Sequence, residues 1–205
     1  MNSEILGCSI VDRSVLKTKY IHHVSRIVTG FRKKGAVTEP FKMTTEVIIL
    51  PNGSQIIPYF KDSKGRWKIV LVSQYRAAIR GKTLEGAGGR LEDGEAAETA
   101  LSRELEEETT IKVKPRSIRI IFYEYMNSSI IVGTFYGGIV KINAGAVKNK
   151  TVAGKKTENE QTQVEIFDLV EFIKKRESGL VRLDLLTSRL IDEVAKVTGL
   201  LVRKY

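Results

Sequence analysis

The sequence predicts an α/β domain of mixed strands and helices, with an N-terminal strand extension. Runs of β-branched and aromatic residues, bounded by Pro, Asn and Gly, recur through the first two thirds of the chain. Helical spacing or capping signals appear at 95–108, after Asp168 and after Asp184. The elements therefore run as several strands, one helix, further strands and two closing helices, with no internal repeat. The 205 residues suffice for one domain with a sizeable core. We set that domain at residues 46–205 and leave 1–45 as an extension able to pack on a partner.

Residues 1–40 are weakly patterned, with a candidate strand at 24–31 (VSRIVTGF) and a loop expected from Gly35 to Pro40. TTEVIIL (44–50) is strand material ending at the turn signal Pro51-Asn52-Gly53. SQIIPYF (54–60) follows, its Pro58 predicting an edge or a bulge. After the polar turn 61–65, WKIVLVSQYR (67–76) is the strongest strand, apolar enough to be central. The glycine-rich stretch 77–94 is expected to be loop. SIRIIFYEYM (117–126) and IIVGTFYGGIVKI (130–142) are strand material again, and 143–163 is a long polar, basic, mobile loop. Asp168 and Glu171 stand at N-cap and N3 spacing, with Phe167 and Phe172 placed for a hydrophobic staple. That helix should stop near Ser178-Gly179. A last helix, about Asp184 to Lys196, carries the stripe Leu186, Leu190, Val194.

Composition narrows the function classes. Cys8 is the single cysteine, so no internal disulfide is possible and a reducing compartment fits. No run of eighteen apolar residues offers a membrane span, and the N-terminus lacks a secretory pattern. A cytoplasmic protein is expected. The net charge of +10 attracts anions in general but is no nucleic-acid motif, since no aromatic residues interleave a basic stripe. His22 and His23 are adjacent and form no zinc cluster.

The stretch GGRLEDGEAAETALSRELEEETTI (88–111) concentrates the chemistry. In a helix from Glu95, Leu101 and Leu105 make the core face, extended by Ala97. Glu104 and Glu108 lie four apart and Glu107 three beyond Glu104, so the three converge elsewhere on the helix. Like charges at that spacing, in the last turn where the dipole disfavours anions, are destabilising. Arg103, four before Glu107, relieves part of this. Either the acids form a solvated face or a divalent cation binds there, and carboxylate oxygens suit Mg²⁺ or Mn²⁺. Gly86, Gly88 and Gly89 permit close backbone approach beside them.

This stretch resembles the Nudix box, in which G is followed after five residues by E, and after seven more by R-E, an aliphatic, any residue, E-E, any residue, G and an aliphatic. Gly89, Glu95, Arg103, Glu104, Leu105, Glu107, Glu108 and Ile111 occupy the fixed places, and Thr110 stands where the pattern has glycine. The resemblance implies a Nudix-type α/β/α sandwich with a mixed β-sheet and hydrolysis of a nucleoside diphosphate linked to a further group. It implies that Glu104, Glu107, Glu108 and the carbonyl of Gly88 hold Mg²⁺, that Arg103 holds the glutamates in place, and that Glu95 anchors the loop–helix turn. Mn²⁺ is an alternative metal.

Outside the box, LVSQYRAAIRGKTLEGAGGRLEDGE resembles the ADP-ribose and nucleoside-diphosphate-sugar pyrophosphatase branch. On that resemblance Arg76 contacts phosphate, Glu85 touches substrate or a metal-bound water, and N-terminal strands form a homodimer. A mobile-loop glutamate assists the water in this branch. Glu158 and Glu160 are candidates, with Glu160 favoured and Glu165 less free to move. Tyr123 and Tyr125 either stack on a base or serve core or interface. Ala87 stands where the branch often has proline, and FYEYMNSS (122–129) lacks the branch's proline and glycine, which leaves the sugar open. The expected activity is therefore Mg²⁺-dependent cleavage of a nucleotide sugar to a nucleoside monophosphate and a sugar phosphate. The alternatives are hydrolysis of RNA 5′ ends or dinucleoside polyphosphates, and a non-catalytic nucleotide-binding module.

Overall fold

The computed structural model describes residues 3–18, 21–125, 127–147 and 162–200. They fall into two compact units, one built from residues up to Pro51 together with Tyr125–Thr134, the other from Asn52 to Glu124 and from Phe135 onward.

The first unit is a sheet of four strands in the order β1 (Ser3–Lys17), β2 (His22–Lys34), β3 (Val37–Ile49) and β9 (Ile131–Val132). The first three are antiparallel, and β9 joins β3 in parallel through Ile48↔Ile131 and Ile49↔Val132. Asp12 stands directly opposite Arg26, whose Nε and Nη2 donate to its two oxygens at 2.7 and 2.8 Å. The expected loop from Gly35 to Pro40 is instead a two-residue turn at Gly35-Ala36, after which β3 begins. Pro40 is tolerated in β3 because β9 covers only the far end of that strand, leaving Pro40's outer side without a ladder to donate to. Val24 and Val47 are the buried apolar side chains among the described residues of this unit. Ile10, Val11, Val15, Phe31, Val37 and Met43 are exposed.

The second unit has a sheet ordered β11 (Thr162–Asp168), β5 (Trp67–Arg76), β4 (Gly53–Lys61), β10 (Thr134–Lys141) and β8 (Arg119–Tyr125). It is mixed: β10 runs parallel to β4, whereas β4–β5 and β5–β11 are antiparallel. Alternation along β5 explains its apolar run. Val70 and Val72 pack with Leu101 and Leu105 of α1 (Ala97–Thr109) in one core. Ile69 and Leu71 pack with Leu169 and Phe172 of α2 (Leu169–Glu177) and with Leu190, Ile191 and Val194 of α3 (Leu185–Val197) in the other. Each face of the sheet thus has its own helical layer, the α/β/α sandwich.

Pro58 lies in a strand with neighbours on both sides, not at an edge. The reason is local: β4 pairs β7 (Ala87–Arg90) over Gly53–Ile56 and β5 over Tyr59–Lys61, so Pro58 falls where one antiparallel partner has ended and the next has not begun. The stretch 77–94 is not all loop. It contains a 3₁₀ turn at Ala77–Ile79, β6 (Gly81–Glu85) on β5, and β7. The strand material at 130–142 divides at Gly133 into β9 and β10. The helix of the box starts at Ala97 because Glu95 is engaged in the preceding turn, its N–H bonded to Glu92 O at 3.0 Å.

The α2 cap matches its expectation. Asp168 accepts from Val170 N and Glu171 N, and the rings of Phe167 and Phe172 lie 4.8 Å apart. No helix among the described residues is long and apolar enough to cross a membrane.

Candidate active site

The site is assembled where β5, β6 and β7 meet α1. Strand β5 ends in Gln74-Tyr75-Arg76, and β6 returns beside it with Val72 opposite Glu85. Arg76 Nε donates to Glu85 Oε1 at 2.8 Å and its Nη2 to Oε2, closing a forked pair. The Thr83 hydroxyl donates to the same carboxylate. Burial pushes the Glu85 carboxyl up, but the bonds from Arg76 and Thr83 outweigh it and hold it below the ordinary glutamate value. A carboxylate depressed in the fold stabilises above its unfolded value of 4.5 and loses that contribution as pH falls through the folded value. Glu85→Gln should therefore lower the urea midpoint at pH 6, and the difference from the parent should shrink by pH 3. A difference independent of pH would refute the assignment.

Strand β7 carries Gly88 opposite Gln55 and Gly89 opposite Ser54. The Gly88 N–H donates to Glu108 Oε2 at 2.9 Å. A Cβ on Gly89 would lie 2.3–2.5 Å from the Glu104 carboxylate, so only glycine lets the strand and that acid approach so closely. Arg103 organises the acids: it donates to Glu95 through Nε (3.0 Å) and Nη2 (2.9 Å), to Glu104 Oε1 (2.7 Å) and to the Arg90 carbonyl (3.0 Å). Glu107 is at the limit of its reach, 4.0 Å away. Arg103 holds the Glu95 carboxyl below its usual value. Glu104 moves the other way. Burial raises it, Arg103 opposes, and the charges of Glu107 and Glu95 add to the rise. The acids differ in exposure: Glu104 is buried, Glu107 and Glu108 are half-buried, and Glu106 is exposed and paired with Lys112 at 2.8 Å.

Thr110, in the glycine position of the box, caps α1 in the left-handed region (φ 60°) with its N–H bonded to Glu106 O at 2.9 Å. A β-branched residue there costs roughly 1–2 kcal/mol. Thr110→Gly should stabilise by about 1 kcal/mol, roughly 3 °C in thermal midpoint for a chain of this size. An unchanged midpoint would show that the turn is not strained.

Glu158 and Glu160 lie outside the described residues, and Glu165 sits within β11 opposite Leu71. Tyr123 is exposed and stacks on Tyr136 with centroids 6.2 Å apart, and Tyr125 is exposed too, so neither is a core residue. A polar network of Gln55, Asp184 and Thr187 beside Gly86 was missed, as was the buried Ser54. Gln55 lies 129 positions from Asp184 and 132 from Thr187, and no local motif joins them.

With this geometry in place, comparison defines the class. A NUDIX domain family model matches residues 53–182, and the chain belongs to the Nudix family. Over 74 residues it is 36% identical to the ADP-sugar pyrophosphatase of Mus musculus. That segment covers 36% of this chain and 34% of the mouse protein, so the similarity spans about a third of the curated relative.

Proposed function

We propose that the chain is a divalent-metal-dependent pyrophosphohydrolase acting on a nucleoside diphosphate sugar, yielding a nucleoside monophosphate and a sugar phosphate. The observation that carries this reading is the placement of Glu104 and Glu108 against the glycine strand β7, with Arg103 tying Glu104 to Glu95. The partial likeness to an ADP-sugar pyrophosphatase supports the substrate class.

Among the described residues no three acidic, His or Cys side chains are already gathered as a metal site. The donors nevertheless fit Mg²⁺ or Mn²⁺. They are hard carboxylate oxygens. Burial and the neighbouring acids push the Glu104 carboxyl up, a cost a bound cation would relieve, and Ser54, opposite Gly89, has a buried hydroxyl with no partner among the described residues. Glu104, Glu107, Glu108 and the Gly88 carbonyl would hold the ion. When bound, it would offset pyrophosphate charge and acidify an attacking water.

In this reading Arg76 contacts phosphate through its part-exposed guanidinium, and Glu85 fixes that fork. Glu160 is assigned to orienting the water. A homodimer belongs to the same reading, and the exposed Ile10, Val11, Val15, Phe31, Val37 and Met43 are apolar side chains that a second copy would cover. Sedimentation of a monomer at micromolar concentration would remove the dimer.

The test is a product analysis with Mg²⁺ and ADP-ribose, ADP-glucose, GDP-mannose, UDP-glucose, NADH, a diadenosine polyphosphate and 5′-triphosphate RNA. Release of a monophosphate from one nucleotide sugar is expected, and no release from Glu107→Gln/Glu108→Gln. The net charge of +10 favours the RNA arm as the second reading, and cleavage of RNA or the polyphosphate alone would move the assignment there.

A further inference from the structure

Residues beyond the matched segment reach back into the site. Strand β6 pairs with β5 and β7 pairs with β4, so the chain changes partner strand at Gly86. A buried N–H at such a crossing needs an acceptor from elsewhere. Thr187 supplies it: its Oγ1 accepts the Gly86 N–H at 2.9 Å. Thr187 lies in the first turn of α3 and is wholly buried. Its hydroxyl is 3.1 Å from both Gln55 Oε1 and Asp184 Oδ2, and its single proton serves one of them. Gln55 Nε2 donates to Asp184 Oδ2 at 2.9 Å, and Asp184 Oδ1 caps α3 by accepting from Thr187 N at 2.6 Å. Just before the crossing, Leu84 N–H donates to the Arg182 carbonyl at 3.0 Å. On its other side Gly86 has no room to move. An added Cβ would lie 2.9 Å from Gln55 Cγ and from the Ile56 carbonyl.

The crossing therefore joins two parts of the site. Glu85, bound to Arg76, is the residue before it, and Gly88, bound to Glu108, is two residues after it. We propose that Thr187, backed by Gln55 and Asp184, is a positioning residue. It fixes the Gly86 crossing and hence the spacing between the Arg76–Glu85 pair and the glycine strand at Glu104 and Glu108. Its catalytic consequence rests on the proposed function, but its effect on the backbone does not.

The test compares the full chain with Thr187→Val, which keeps the shape and removes the acceptor, and Thr187→Ser, which keeps the acceptor and loses only the γ-methyl. Hydrogen–deuterium exchange in the peptide spanning 84–90 should be about tenfold faster in Thr187→Val, near the parent in Thr187→Ser, and unchanged in a peptide spanning 164–172. Half-saturation by Mn²⁺ alone should rise about tenfold in the valine variant, and kcat should fall by a similar factor with KM little changed. No acceleration at 84–90, or an equal rise in all peptides, would overturn the proposal. A parent inactive on every substrate would defeat the proposed function while the exchange and Mn²⁺ readouts still decide this one. An active parent matched by Thr187→Val in kcat and Mn²⁺ half-saturation would reduce Thr187 to a purely structural role. If Thr187→Val does not fold, Gln55→Met, which leaves the Gly86 bond in place, should still speed exchange at 84–90 by about threefold, and no change there would refute the network.

Discussion

Glu107→Gln/Glu108→Gln is expected, on the proposed function, to lower kcat/KM by about 10³-fold or more while leaving the protein folded, since losing the charge stabilisation a bound metal would supply adds about 4 kcal/mol to the barrier. The fold should tolerate the change for particular reasons. Glu107 is half-buried, with Arg103 Nη1 4.0 Å away. Glu108 accepts from Gly88 N–H, and a glutamine amide oxygen accepts in the same way. Both acids lie in the closing turns of α1, where negative charge opposes the helix dipole. The thermal midpoint in chelator should therefore hold or rise as activity disappears. Activity within about tenfold of the parent would remove these two residues from the reaction.

Arg103→Ala has the largest expected effect on stability. Its guanidinium serves Glu95, Glu104 and the Arg90 carbonyl together, and the two acid side chains are only 10% and 11% exposed. Removing the cation leaves Glu104 without its guanidinium partner and Glu95 with the Glu92 N–H at 2.9 Å. Breaking a buried pair in this way costs about 3–5 kcal/mol, and the partial exposure of Arg103 points to the lower end, about 3 kcal/mol. Lysine restores little, since one ammonium cannot bridge both acids in the plane of the fork. The mechanism has its own signature. Adding Glu104→Gln to Arg103→Ala should recover part of the loss, because a neutral amide leaves no buried charge. Urea midpoints of the four proteins decide it. A single-variant loss below about 0.5 kcal/mol, or no recovery in the double variant, would mean that Arg103 is not what holds these acids.

What could be read from residues alone follows the range over which the physics acts. β5 runs over the residues expected of it, because a strand covered on both faces is written as one apolar run. The α2 cap and staple were legible because their partners are three to five positions apart. That Arg103 holds the glutamates is what the resemblance at the box implies, whereas its fork to Glu95, which lies before α1 begins, is visible only in the fold. β1 was missed. Ile10, Val11, Val15 and Leu16 are all exposed, so no buried face imposes alternation on the sequence. The stretch holding β6 and β7 reads as loop because glycines there serve close approach, and close approach is a property of the partner strand. Thr187 lies 101 positions from Gly86 and 132 from Gln55, and no local pattern announces contacts at that range.

The order of the central sheet bears on how the chain is made. β4 receives β10 with Gly53 opposite Phe135, and β5 receives β11 with Gln74 opposite Thr162. Each pairing closes a span of some eighty residues or more, the kind of contact that slows folding because its loop entropy is lost before the ladder forms. During synthesis β4 and β5 leave the ribosome long before their outer neighbours exist. Until then they present open edges and bare apolar faces, the surfaces through which a partly made chain misassembles.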